Sequence, residues 1–461
     1  MKNFIKFFKT DMKIINSYFL FAIILIILIS IGYSSYALFS FTKTSTNVIE
    51  GTVGELKKNI DTSGANAPVL ASNMIPVYYD ETNDVWKKSD VSNMDKTNPW
   101  YSYNSTGEYK GMWANAVTVT ATNRRKYLSA APGTKIPMSD INTMWVWIPR
   151  FKAVTPSNYN GTTKAKPNAI DVTFVKQNET AIDAFTFGNK QLSGFWYGKF
   201  EIGGTLASSC SNETCNVSNI VVKPNVSSLR NQKVSSFFYA ARSMEQTGNS
   251  FGFVSTEVDT HMSKNNEWGA AAYLTQSIYG RCTSSTSCTE IGINNNGSFI
   301  TGYGAPAGSS SSVTNGAYNT SLGKDASTTK NIYGIYDMSG GTWECVMGVF
   351  ADTNGKPRTG YNSSINSGFT GMLKDGTTYT GITFPDSKYY NLYTESSYTG
   401  HALTETKNWY SDDARFVDSS YPWFKRGDYY YNGTDAGVFG FDRDSGDSFS
   451  YNSSRLVISN E

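Results

Sequence analysis

Residues 331–344, NIYGIYDMSGGTWE, constrain this chain more than any other stretch. Apolar side chains here follow neither the 3.6-residue period of a helix nor the alternation of a strand. Gly334, Gly340 and Gly341 admit backbone angles that other residues resist. Asp337 and Glu344 set two carboxylates beside those turns. Such a stretch reads as a tight core loop. Its acids either satisfy buried amides or hold a hard cation through oxygen ligands.

A chain of 461 residues has room for two or three domains and a substantial core. Its 40 basic and 38 acidic residues nearly cancel, so nothing global points to nucleic acid. Aromatic residues make up 14% of the chain, and 30 tyrosines with 40 glycines suit a loop-rich, β-leaning exported protein. The two histidines, His261 and His401, leave little material for a histidine metal cage or a Ser-His-Asp triad.

Export is written at the start of the chain. Residues 1–13 carry Lys2, Lys6, Lys9 and Lys13 and read as a cytoplasmic basic segment. Residues 14–39 read as a signal anchor or a signal peptide. Ser35-Tyr36-Ala37 offers a small-x-small cleavage site, so both alternatives stand. The remainder is then membrane-anchored on the extracellular face, or secreted. Residues 40–67 form a polar linker and 68–141 a β-rich extension, with strands expected at 74–79 and 116–120.

Residues 142–461 form the main domain. The runs 144–150 and 195–202 read as buried strands. Val234, Phe237, Phe238 and Ala241 lie at helical spacing in 234–244. Residues 263–275 form a second helix, with Ser263 as N-cap and Trp268, Ala271 and Ala272 on one face. Two helices among many short strands make an α+β domain.

Six segments then occur in order: Trp147-Ile148-Pro149, 197–202 (YGKFEI), 266–271 (NEWGAA), the core loop, 423–427 (WFKRG) and Arg455-Leu456-Val457. Together they resemble the formylglycine-generating enzyme (sulfatase-modifying factor) family, a branch of the C-type-lectin-like fold. The resemblance covers about 144–458. It implies an α+β domain with many short strands and two main helices. It also implies a structural Ca²⁺ held by the carboxylates of Asp337 and Glu344 and the carbonyls of Gly340 and Thr342. Gly341 stands where the family usually has Asn. The family's enzymes hold copper on two cysteines after the segment matching 423–427. Residues 427–455 contain no cysteine and no histidine, so no copper and no catalytic residue is expected.

Five cysteines remain to be placed. Cys210 and Cys215 frame SNET, and Cys282 and Cys288 frame TSSTS. In an exported chain such pairs read as loop-closing disulfides. Cys345 is left over and reads as a buried small hydrophobe rather than a reactive thiol.

The segment 427–455, GDYYYNGTDAGVFGFDRDSGDSFSYNSSR, mixes two kinds of residue. Gly433, Ala436, Gly437, Val438, Phe439, Phe441 and Gly446 read as framework. Between them stand Tyr, Asp, Ser, Asn and Arg, the mixture that binding surfaces use. Asp, Tyr, Ser, Gly and Arg are all reached from an Asn codon by changing adenines alone. This segment resembles the variable region of diversity-generating retroelement proteins, which display it on a C-type-lectin-like scaffold. By that resemblance Tyr429, Tyr431, Asn432, Asp435, Asp442, Arg443, Asp444, Ser445, Asp447, Tyr451 and Asn452 are the exposed ligand-contacting positions. The chain then reads as an exported, membrane-tethered, non-catalytic protein for an external protein or glycan ligand. Two alternatives stand beside it: an oxidase with its site rebuilt around Cys345, and a fixed structural or phage-derived adhesin.

Overall fold

The computed structural model describes residues 62–460, apart from 93, 96, 97, 157–165, 207–209, 216 and 218. The expected cytoplasmic segment 1–13, the anchor or signal 14–39 and most of the linker 40–67 lie outside the described residues. Among the described residues no helix is long and apolar enough to cross a membrane.

The longest strand shows how the domain is built. Residues 141–149 read INTMWVWIP, nearly continuously apolar, and such a run forms a strand covered on both faces. In chain order the first strands are β1 (Ile75–Asp80), β2 (Val85–Lys88), β3 (Asn115–Val119), β4 (Lys135–Ile136) and β5 (Ile141–Pro149). They are followed by β6 (Gly194–Gly198) and β7 (Val258–Met262). A second group comprises β8 (Trp343–Phe350), β9 (Asn391–Tyr393), β10 (Trp423–Arg426), β11 (Phe441–Asp444) and β12 (Asn452–Ser454), and β13 (Leu456–Asn460) comes last.

One sheet has eight antiparallel strands in the order β7-β13-β6-β5-β3-β1-β2-β4. Its register sets Trp147 opposite Trp196, and Trp196 opposite Ile458. The strands of 68–141 thus complete the sheet that the strands of 142–461 begin, through the β3–β5 pairing. Residues Lys58–Glu461 form one unit. In the second sheet β8 pairs β10 antiparallel, β9 and β12 parallel, and β10 pairs β11.

Two main helices accompany these sheets, α1 (Val234–Ser243) and α2 (Asn265–Thr275). The helix expected from 263 starts two residues later. Lys264 is the N-cap, and its N–H donates to Glu267 at 2.8 Å. Ser263 is instead hydrogen-bonded to the Tyr197 hydroxyl at 2.9 Å. All of α2 is buried, so Trp268, Ala271 and Ala272 do not mark a single buried face. The domain is β-rich α+β, with many short strands.

The strand expected over 195–202 ends at Gly198: the Lys199 N–H still donates to Met144 of β5 at 3.0 Å, but its carbonyl accepts from the Tyr336 N–H of the core loop at 2.8 Å. The buried Lys199 ammonium donates to the carbonyls of Ile332 and Gly334, each at 2.7 Å. Burial pulls that ammonium well below its ordinary value. This contact fixes the core loop against the first sheet.

Candidate functional site

The core loop turns through left-handed backbone at Asp337 (φ 63°), Gly340 (φ 75°) and Gly341 (φ 70°). Asp337 accepts from the Asn294 amide at 2.8 Å and from the Gly302 N–H at 2.9 and 3.0 Å. These hydrogen bonds, from residues 43 and 35 positions earlier, hold Asp337 in that conformation. Glu344 receives the two-pronged guanidinium of Arg455, with Nε at 2.9 Å and Nη2 on the other oxygen. Arg455 also donates to the carbonyls of Gly198 at 2.8 Å and Tyr336 at 2.9 Å. Glu201 accepts from the Thr342 N–H at 2.8 Å and from the Ser228 hydroxyl.

Burial raises all three carboxyls, Asp337 to about 6 and Glu344 to about 7, while Arg455 pulls both back. Glu201 has no cation beside it. Burial first, then the charges of Asp337 and Glu344, push it well above the carboxylate range. Glu344 has the Arg455 fork to offset its burial, and Glu201 has no such partner.

As arranged, Asp337, Gly340, Thr342 and Glu344 do not fit a calcium ion. Both Glu344 oxygens face Arg455 and both Asp337 oxygens face amides, so neither expected carboxylate is free for the ion. The cation at this centre is a guanidinium. Among the described residues no three His, Cys, Asp or Glu side chains are grouped as a metal would require.

The C-terminal segment is pinned to this loop. Gly427 (φ 81°) makes the turn out of β10, and a Cβ there would meet the Trp268 ring at 3.1 Å. Asp428 follows, also left-handed (φ 60°). Its Oδ1 accepts from the Tyr429 N–H at 2.7 Å and the Asn432 amide at 2.8 Å. Its Oδ2 is buried without a partner. Burial, outweighing those hydrogen bonds, pushes the Asp428 carboxyl up to about 7.

Beyond Asp428 the Tyr430 N–H donates to the Gly341 carbonyl at 3.0 Å. Its ring meets Phe299 edge-on at 4.9 Å and Tyr429 at 5.5 Å. Tyr429 leans on Tyr451 at 6.1 Å, and Tyr451 stacks on Phe449 at 5.4 Å. Tyr431 stands outermost, 63% exposed. These rings form one continuous ridge. Beneath it the Lys425 ammonium lies 4.4 Å from the Trp343 ring and 5.6 Å from that of Tyr451.

No family model matches the chain, and neither does any curated protein. Solved structures similar to it include "Treponema denticola variable protein 1", 13% identical, covering 68% of this chain and 95% of that one at a TM-score of 0.28. The Major Tropism Determinant I1 variant is 10% identical and covers 87% and 98% at a TM-score of 0.24. The P3c variant is also 10% identical, with the same coverage and a TM-score of 0.25. Likeness at these scores carries no inference about fold or function, and both rest on the geometry.

That geometry divides the eleven expected contact positions. Tyr431 and Asp435 are exposed, and Tyr429, Asn432, Arg443, Asp447 and Tyr451 are half-buried. Asp442, Asp444, Ser445 and Asn452 are buried, at 7%, 4%, 2% and 0% exposure, and are not surface positions. Strand register explains the first. Asp442 lies opposite Lys425 in the β10–β11 pair, and the two form an ion pair at 3.2 Å. Asp444 accepts from the Gly446 N–H at 2.7 Å and the Asn452 amide at 3.1 Å. Asn452 sits opposite Trp343 in β12, and the Ser445 hydroxyl accepts from the Asp447 N–H at 3.4 Å. Of the half-buried set, Arg443 pairs with Asp418, and Asp447 with Lys233 at 3.4 Å.

The ridge also contains residues that sequence reasoning missed. Tyr430 and Phe449 lie within the segment. Phe299 and Arg230 come from far away in sequence. Arg230 lies 4.1 Å from the Phe299 ring and donates to the Ser450 carbonyl at 2.5 Å. Only the run of three tyrosines hinted at Tyr430, and nothing in the sequence pointed to Phe299 or Arg230. The framework residues Ala436, Val438, Phe439 and Phe441 are buried as expected.

Both expected disulfides, Cys210–Cys215 and Cys282–Cys288, are formed. They fit an oxidising, extracellular compartment. Cys345 is buried, and burial pushes its thiol well above the ordinary range. His261 Nε2 pairs with Glu267 at 3.0 Å, and His401 Nε2 with Asp183 at 2.7 Å.

Proposed function

We propose that this chain is an exported, non-catalytic ligand-binding protein on a C-type-lectin-like scaffold, tethered through residues 14–39. Its contact surface is the tyrosine ridge. The observation that carries this reading is the ridge itself: Tyr429, Tyr430, Tyr431, Phe449 and Tyr451 packed ring to ring on a buried framework. Aromatic rings at a surface supply large contact area and lose little side-chain entropy on binding. A ridge rather than a cleft suits a macromolecular partner, an external protein or glycan. Two features speak against the oxidase alternative. Residues 427–455 contain no cysteine, and Cys345 is buried with its proton held.

Sequencing the DNA that encodes residues 423–455 across a clonal population tests the reading. Substitutions confined to adenine-derived codons are expected at Tyr429, Tyr431, Asp435 and Tyr451. The buried Asp442, Asp444, Ser445 and Asn452 are expected to stay constant. An invariant segment without a near-copy beside it overturns diversification and leaves the fixed adhesin.

A further inference from the structure

A second surface, built from elements other than the ridge, has the chemistry of an anion site. Residues 124–129 form a short helix after β3, reading RRKYLS. With Asn73 and Ala121, the side chains of Arg124, Arg125, Leu128 and Ser129 line a surface cavity of about 560 Å³. Three consecutive cations begin this helix. Lys126 lies 4.5 Å from the Tyr127 ring, while Arg124 and Arg125 face the cavity.

Arg124 is held in place without being neutralised. Its Nη2 donates to the Ser250 carbonyl, and its guanidinium rests against the backbone of Gly252. A Cβ at Gly252 would lie 2.7 Å from the Arg124 Cζ, so only glycine leaves that seat open. The loop behind it is built with care. The Asn249 carboxamide oxygen accepts from the N–H groups of Phe251, Gly252 and Phe253 at 3.0, 2.8 and 3.2 Å. The Asn73 amide donates to the Gly252 carbonyl at 2.6 Å. Among the described residues no carboxylate pairs with Arg124 or Arg125. The nearby acids are engaged elsewhere: Asp140 accepts from the Tyr127 hydroxyl at 2.5 Å, and Glu257 from the Ser72 hydroxyl at 2.6 Å. Burial without a counter-charge pulls the Arg124 guanidinium down from its ordinary value. The buried Arg242, Arg281 and Arg455 each face a carboxylate, while the buried Arg150 and Arg426 are held by carbonyl and amide oxygens alone; half-buried Arg124 shares that second arrangement but also lines an open cavity.

We propose that this cavity binds the phosphate or sulfate group of a ligand. Arg124 and Arg125 supply two positive charges to a doubly charged oxyanion, Arg124 being fixed in place by Ser250 and Gly252. The exposed Leu128 and Ala121 lie against the carbon body that carries the group.

The test uses the full chain at low ionic strength, titrated calorimetrically with inorganic phosphate and sulfate, chloride serving as control. In a second arm, cosedimentation compares phosphatidylglycerol with phosphatidylcholine vesicles. Phosphate or sulfate is expected to bind, and Arg124→Gln and Arg125→Gln each to weaken it about tenfold. Tyr431→Ala leaves this binding unchanged even if the ridge binds nothing. A preference for phosphatidylglycerol that Arg125→Gln abolishes, without binding of the free ions, identifies the anion as a lipid head group. Binding of the free ions without that preference identifies a soluble ester. Arg125 is exposed, so its variant folds and decides the matter even if Arg124→Gln does not. No anion preference in either arm, or wild-type behaviour of Arg125→Gln in both, overturns the proposal.

Discussion

Asp428 gives the sharpest test of how the ridge is held. The substitution is Asp428→Asn, which keeps shape and still accepts from the Tyr429 N–H and the Asn432 amide. Asn also tolerates the left-handed backbone found there. Burial raises the Asp428 carboxyl from 3.8 to about 7. At 1.36 kcal/mol per pKa unit, its ionised form is disfavoured in the folded protein by roughly 4 kcal/mol. The sign follows from linkage. A carboxyl whose folded pKa is raised contributes stability that is fully present below 3.8 and is lost as pH rises through about 7. Asn never ionises and escapes that loss. Its amide N–H₂ replaces an Oδ2 that already lacks a partner, and an unsatisfied donor costs about 1–3 kcal/mol. The net expectation is near-neutrality or slight loss at pH 4, and a gain of about 1–3 kcal/mol at pH 8. Urea unfolding of both proteins at the two pH values, read by tryptophan fluorescence, measures it. A variant less stable than wild type by the same amount at both pH values refutes the account, because Asp428 then folds ionised.

Further outcomes follow from the same geometry. Asp444→Ala leaves the Asn452 amide and the Gly446 N–H without their acceptor in the interior, Lys425 keeping Asp442, and should cost about 2–4 kcal/mol in urea unfolding. Tyr431→Ala, at an exposed position, should stay within about 0.5 kcal/mol of wild type; equal effects would mean the ridge and its support are not distinct. Chelation with EDTA should leave the melting temperature unchanged, since Arg455 supplies the charge that neutralises Glu344. A rise of several degrees on adding calcium would contradict that arrangement. Cys345 should resist iodoacetamide until the protein unfolds, and reduction of the two short disulfide loops should cost about 2 kcal/mol each. Labelling at the native rate of a free thiol would reopen the oxidase reading.

Much of the scaffold was legible because burial leaves a local signature. The apolar run 141–149, the helical spacing of Val234, Phe237, Phe238 and Ala241, and the glycine-rich core loop each announce themselves within a few residues. The helix start was misplaced because Ser263 is the better cap by type, yet Glu267 reaches back to Lys264. What sequence could not supply was the partner across space. Asp442 looks like a surface acid until strand register sets Lys425 opposite it. Glu344 looks like a calcium ligand until Arg455 arrives from 111 residues away. Phe299 and Arg230 join the ridge from loops with no motif of their own. The site's chemistry was visible in composition, while its membership was decided by non-local pairing.

The order of strands in the first sheet bears on which changes in residues 427–455 the fold tolerates. The strand downstream of the ridge, Leu456–Asn460, lies inside the sheet between β6 and β7, and Arg455 just before it closes the acid centre. Folding therefore waits on residues translated after the contact segment, and the contacts they make span most of the chain. A premature stop or frameshift anywhere in 427–454 removes both the interior strand and the buried guanidinium. The product cannot close its core and is exposed to proteolysis. The fold thereby acts as a proofreader of reading frame: a copy truncated or frameshifted within 427–454 cannot complete its first sheet.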